Sequence, residues 1–180
     1  MKNLLNCHCI GLHSFPISKD ENGLYKRIFY ADVNHQLFNP CEIAIHPHHV
    51  NIKITILEGV LCNLLYSVGK GELFNTYIWK SHILSGEGKF KFIGYNELKL
   101  ISNISYTKGQ SFYMNSLELH TVFVEQFETC VWMIEEFKPT YPYLGLNFSK
   151  NNLSDWSSKG LYIECDEQIK HQYLKDYITF

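Results

Sequence analysis

Apolar residues in this chain fall in short runs rather than at helical intervals. From about residue 24 to 138 the texture is that of successive β-strands. Ile43-Ala44-Ile45 leads into a group of histidines, and Asn51 to Val68 is dense in Ile, Leu, Val and Tyr. Glu58-Gly59 is a turn signal inside that run, which predicts either a hairpin or a sharply bent pair of strands. Gly69-Lys70-Gly71 is expected to close it. Leu73 to Leu84 is a further β-rich run, broken by Gly86-Glu87-Gly88. Lys89-Phe90-Lys91-Phe92 then alternates with period two, as a half-exposed strand should. Ile101 to Tyr106, Ser111 to Met114, Thr121 to Phe127 and Thr129 to Phe137 predict more strands.

Two segments depart from this texture. Lys138 to Gly160 carries Pro139, Pro142, Gly145 and several Asn and Ser, and reads as a wrapping loop. Asp166 to Tyr177 places Ile169, Tyr173 and Leu174 on one helical face, with Asp166 as cap and Glu167 in the first turn. Short strands with frequent glycine turns predict a sandwich or barrel rather than alternating strands and helices. No linker or repeat divides the chain. One domain over residues 1–180 is expected, with a barrel core at about 24–138 and a helical or irregular extension at 139–180.

Composition narrows the function classes. An apolar fraction of 46% in 180 residues supports a real core and excludes global disorder. No apolar run approaches the roughly 18 residues of a membrane helix. A net charge of -2 argues against a basic nucleic-acid footprint. The first residues, Met1 to His8, make a poor signal peptide, so a cytoplasmic protein with free thiols is expected. Cys7-His8-Cys9 with His13 nearby has metal-ligand chemistry. No second cysteine pair follows at zinc-finger spacing, and the segment reads instead as a partly buried first strand.

The unusual count is nine histidines against a single arginine, Arg27. In His46-Pro47-His48-His49, an extended backbone puts residues i and i+2 on one face. His46 and His48 can then point inward together while His49 points out. His120, between strand-like segments, is the candidate third ligand.

This spacing resembles the two-motif signature of the cupin superfamily. The first motif runs Gly, five residues, His-x-His, three or four residues, Glu, six residues, Gly. The second runs Gly, five residues, Pro-x-Gly, two residues, His, three residues, Asn. Here His46, His48 and Gly59 match the first, with Pro40 in place of its first Gly and Ile52 in place of its Glu. Gly109 and His120 match the second, while Asn115, Leu117 and Val124 replace Pro, Gly and Asn. The resemblance spans Pro40 to Val124. It implies a jelly-roll β-barrel with a divalent metal held by His46, His48 and His120, or a barrel that keeps these histidines without metal. It also allows a homodimer through strand exchange or sheet packing.

Within the superfamily the chain is similar to the three-histidine thiol dioxygenase branch, which implies iron(II), with zinc, nickel or manganese as alternatives. Met114-Asn115-Ser116-Leu117-Glu118-Leu119-His120 resembles the segment before that branch's last ligand, and Tyr25-Lys26-Arg27 resembles its carboxylate-binding segment. The resemblance implies that Arg27 clamps the carboxylate of a small anionic substrate, with dioxygen as the second reactant. The alternative is a surface arginine. The branch's Ser-x-His-x-Tyr is replaced by Met133, Glu135 and Phe137, and no cysteine lies near Ile52. Oxygenation is thus the expectation, without commitment to sulfur. Non-redox isomerisation or elimination and non-catalytic ligand binding are the alternatives. An inward Glu135 would be a candidate general base, although Glu135 and Glu136 can equally mark the exposed end of a strand. Tyr113 is a candidate substrate contact, and Lys53 is expected to face outward.

Overall fold

The computed structural model describes residues 2–32, 43–79, 89–124, 128–137, 145–154 and 160–178. Its strands are β1 (Asn3–Leu5), β2 (Leu12–Lys19), β3 (Tyr25–Ala31), β4 (Ile52–Glu58), β5 (Val60–Trp79), β6 (Phe90–Thr107), β7 (Ser111–Met114), β8 (Leu119–Val124), β9 (Cys130–Glu136), β10 (Leu146–Ser149) and β11 (Ile163–Cys165). One helix, α1 (Glu167–Leu174), follows. One sheet has the order β11-β1-β2-β3-β9-β4-β7; the other has β10-β5-β6, with β8 also on β5. All pairings are antiparallel. The result is the all-β architecture of antiparallel sheets that the strand texture predicts.

Alternation along β4 shows how the barrel is filled. Ile52, Ile54 and Ile56 are each 1% exposed and pack inward with Trp132, Leu61 and Val124. Lys53 lies on the opposite face, as expected. The outer face of the first sheet is also apolar, because Phe15, Ile28 and Val131 are covered by Leu174 of α1. Asp166 caps this helix: its Oδ1 accepts from the Ile169 N–H at 2.9 Å. The helix ends at Leu174 rather than at Tyr177, and a turn follows.

Glu58-Gly59 resolves as the bent pair, not the hairpin. β4 belongs to the first sheet and β5 to the second, so the chain crosses between sheets at Gly59. Its φ is +73°, and a Cβ there would lie 2.3 Å from the Thr129 carbonyl oxygen. Only glycine fits. Gly69-Lys70-Gly71 does not close a strand. It is taken up as a bulge, with Val68 and Glu72 both in register with Leu98, so β5 runs on for 20 residues. The two strands expected at 89–92 and 101–106 are likewise one, β6, of 18 residues.

The sheets draw on residues beyond 24–138. β1 and β2 pair beside β3, so the early segment is used within the chain. β10 pairs with β5 inside the stretch expected to be a wrapping loop. Pro40, His35, Cys41, His82, the Gly86-Glu87-Gly88 break, Pro139, Pro142 and Trp156 lie outside the described residues.

Candidate metal centre

His46 and His120 are direct cross-strand neighbours. The His46 N–H donates to the His120 carbonyl at 2.9 Å, and the His120 N–H donates back at 3.1 Å. Such a pair puts both side chains on one face. Pro47 biases the preceding His46 toward extended backbone, and His48 follows on the same face. His49 is exposed. The parity predicted for the four-residue run is the parity found.

The three rings converge. Their centroids are 5.1 Å (His46–His48), 5.3 Å (His46–His120) and 4.9 Å (His48–His120) apart. One nitrogen from each lies within 4.8 Å of the others, and no other such group of metal-ligating side chains occurs among the described residues. Hydrogen bonds orient two of the rings. His46 Nδ1–H donates to the Ala44 carbonyl at 2.8 Å, and His120 Nδ1–H donates to Asn63 Oδ1 at 2.8 Å. Both contacts leave Nε2 with its lone pair, the form a metal requires. His48 Nε2 lies 2.7 Å from His120 Nε2. With Nδ1 of His120 donating to Asn63, its Nε2 is the acceptor in this contact and His48 Nε2 the donor.

Burial lowers the pKa of all three imidazoles, with neighbouring histidines adding to the effect at His48 and His120. They are neutral donors at pH 7. Ile52, at the position of the motif's glutamate, is packed in the core and brings no charge.

Arg27 is buried, not on the surface. It is 7% exposed and shares inward parity on β3 with Phe29, which stacks on Trp132. Its Nε–H donates to Ser14 Oγ at 2.9 Å, while Nη2 is buried with no hydrogen-bond partner among the described residues. Desolvation lowers its pKa. Its charge in turn helps lower that of His8, whose ring stacks 6.2 Å from His46. Arg27 therefore faces the same interior as the histidines.

Two expected site residues lie elsewhere. Glu135 is on the outer face of β9, where it pairs with Lys26 at 3.1 Å and Lys53 at 3.8 Å. The inward carboxylate parity belongs instead to Glu136, whose Oε2 accepts from the Tyr25 N–H at 2.9 Å. Tyr113 is 71% exposed, in register with Lys53 and so on that outer face. Neither Glu135 nor Tyr113 reaches the histidine group.

Three residues near the site were missed in the sequence. Asn63 had a signal: a polar residue inside the apolar run Leu61 to Leu65. His8 had one in the Cys7-His8-Cys9 run, which reads as a partly buried strand instead, and Tyr162 had none. The Tyr162 hydroxyl lies 3.3 Å from His8 Nδ1, and both residues hold left-handed backbone, φ +74° at His8 and +54° at Tyr162. The Cys7-His8-Cys9 segment forms a bend rather than a strand, and both of its thiols are buried.

Compared with known proteins, the chain matches no family model and no curated protein. Among solved structures, hydroxypropylphosphonic acid epoxidase from S. wedmorenis aligns over 76% of this chain at 11% identity, with a TM-score of 0.44. This chain spans 55% of that protein's length. KdgF from Halomonas sp. aligns over 73% of this chain and 81% of its own, at 12% identity and a TM-score of 0.36. The CENP-C cupin domain of Drosophila melanogaster aligns over 74% of this chain and 75% of its own, at 11% identity and a TM-score of 0.37. Likeness at this level carries nothing about substrate or reaction.

Proposed function

We propose that the chain is a metal-dependent cupin enzyme that oxygenates a small, anionic organic substrate at an iron(II) ion held by His46, His48 and His120. The observation that carries this reading is the convergence of three neutral imidazoles, two of them fixed through Nδ1 so that Nε2 faces the common centre. The donor set fits a divalent ion. One ring nitrogen of each histidine lies within 4.8 Å of the other two, so the three could be shared by one ion. His48 would offer Nε2 to that ion with its proton on Nδ1.

A divalent ion, when bound, supplies Lewis acidity and, as iron(II), reducing power toward dioxygen. The chain's own residues do the rest. Three neutral ligands leave the ion's charge uncancelled and favour an anionic substrate. Arg27 offers that substrate an N–H already stripped of water and lacking a partner among the described residues. Ile52, Ile54 and Trp132 exclude solvent from the interior around it. Nonspecific water contact with the reacting atoms is thereby reduced.

The outward placement of Met133 and Glu135 favours a second reading, a zinc, nickel or manganese cupin acting as isomerase or lyase. On that face neither residue assists the reacting atoms. Metal analysis of purified protein decides between the two. Near-stoichiometric iron, lost in His120→Ala, together with substrate-dependent oxygen consumption, is the expected result. Stoichiometric zinc or nickel without oxygen consumption supports the second reading. Failure to bind any transition metal on loading overturns both. The reactants proposed are one small molecule and dioxygen, in a cytoplasmic setting, with no role for nucleic acid or membrane.

A further inference from the structure

β6 is the margin of the second sheet. It pairs with β5 along its length and, among the described residues, has no strand on its other side. It is 18 residues long, contains no proline, and exposes Phe92 by 40%, Tyr95 by 64%, Ile101 by 52% and Ile104 by 47%. An edge this long and apolar presents unpaired backbone N–H and C=O groups to any strand that can match it. Two exposed charges, Glu97 and Lys99, sit near its midpoint, and neither makes an ion pair among the described residues.

We propose that β6 pairs antiparallel with β6 of a second copy of this chain, about a two-fold axis at Leu98. In that register Glu97 of each copy faces Lys99 of the other. Tyr95 then faces Ile101, Phe92 faces Ile104, and Phe90 faces Tyr106. Opposite charges and aromatic–β-branched pairs are the stabilising cross-strand combinations, and like charges directly opposed are destabilising. A two-fold axis normal to the sheet places one residue opposite itself. The neighbouring alternatives therefore centre on Glu97 or Lys99 and bring identical charges face to face. Centred on Leu98, the edge is complementary to itself at its two central charges, which favours a second copy as the partner.

Local shape agrees. β6 carries an inserted residue at Ile93 and at Ile101; the third irregularity, opposite Leu98, inserts Gly69 to Gly71 on β5, so Gly94 to Leu100 of β6 itself runs on without an insertion and carries the charged pair. Val68, 64% exposed, and Leu73, 61% exposed, lie on β5 beside Leu98 and Glu97 and widen the apolar area around the axis. None of His46, His48 or His120 takes part, so the proposal stands apart from the metal reading.

Sedimentation of the full chain tests it by charge reversal. Wild type is expected to dimerise. E97K sets two lysines face to face across the axis, K99E sets two glutamates face to face, and each should weaken dimerisation by about tenfold or more. The double variant E97K/K99E restores opposite charges and should restore the dimer. All positions are exposed, so circular dichroism should be unchanged; if a charge variant loses its fold, Tyr95→Glu carries the test instead, with the same expected loss of dimer. A wild type that stays monomeric at about 100 µM overturns the proposal. So do single variants that dimerise normally, or a double variant no better than the singles.

Discussion

Asn63 Oδ1 accepts the Nδ1–H of His120 at 2.8 Å, with both side chains buried in the second sheet. This contact selects the tautomer that leaves Nε2 available to a metal. Asn63→Leu keeps the volume and removes the acceptor. Metal affinity should fall about 10–100-fold, and the stranded Nδ1–H should cost about 1–3 kcal/mol of stability. Asn63→Asp keeps an acceptor and should hold metal at least as tightly as wild type. Competition against a fluorescent chelator measures both variants.

Arg27 should show opposite effects on stability and binding. A buried guanidinium with an unsatisfied N–H burdens the fold, and replacing such a charge with an apolar side chain is often neutral or stabilising. Arg27→Met is therefore expected to match or exceed wild type in thermal stability without ligand. The same variant should lose the stabilisation that small carboxylates give the metal-loaded protein, by about tenfold in apparent affinity. Thermal unfolding across a series of carboxylate concentrations reads both effects at once. A large drop in unliganded stability would instead make Arg27 a structural residue.

Acid should destabilise the metal-free protein over a defined window. Free imidazole takes up its proton near pH 6.5, whereas burial, His46 and Arg27 hold His8 down to about 3. His46, His48 and His120 are shifted in the same direction. Between these limits the unfolded chain binds more protons than the folded one. Stability is complete above pH 6.5 and declines as pH falls toward 3. Urea midpoints at about pH 7.5, 6 and 5 should fall in that order, and His8→Leu should reduce the dependence by about one proton. Equal midpoints across that range would show that the rings take up protons in the fold as readily as in the unfolded chain.

The histidine group was legible because each part of it obeyed a short-range rule. Period-two spacing placed His46 and His48 together, and the second motif's glycine-to-histidine spacing marked His120. Glu135 was not legible. α1 covers the outer face of the first sheet, so both faces of β9 carry apolar residues: Val131 and Met133 outside, Trp132 and Ile134 inside. Alternation in such a strand does not say which face is the interior. The inward register is set by partners far away in sequence, Phe29 and Ile54. Gly69-Lys70-Gly71 has turn composition, yet the pairing on either side of it is continuous and absorbs it as a bulge. His8 approaches His46 through a left-handed turn, which no periodicity reports.

The two motif glycines separate backbone strain from lack of space. Gly59 and Gly109 both hold left-handed backbone, at φ +73° and +85°. At Gly109 an added Cβ meets nothing within 4 Å, whereas at Gly59 it would lie 2.3 Å from the Thr129 carbonyl oxygen and 3.0 Å from the Cys130 Cα. Gly109→Ala should thus cost only the conformational penalty, about 1 kcal/mol. Gly59→Ala adds a collision with rigid backbone at the start of β9 and should cost at least about 2–3 kcal/mol. The strand it forces aside is the one that pairs with both β3 and β4, so the loss should appear as global rather than local unfolding. Urea denaturation followed by tryptophan fluorescence should report it through Trp132, which is buried on that strand. Equal costs for the two substitutions would mean that the crossing from β4 to β5 has more room than this packing allows.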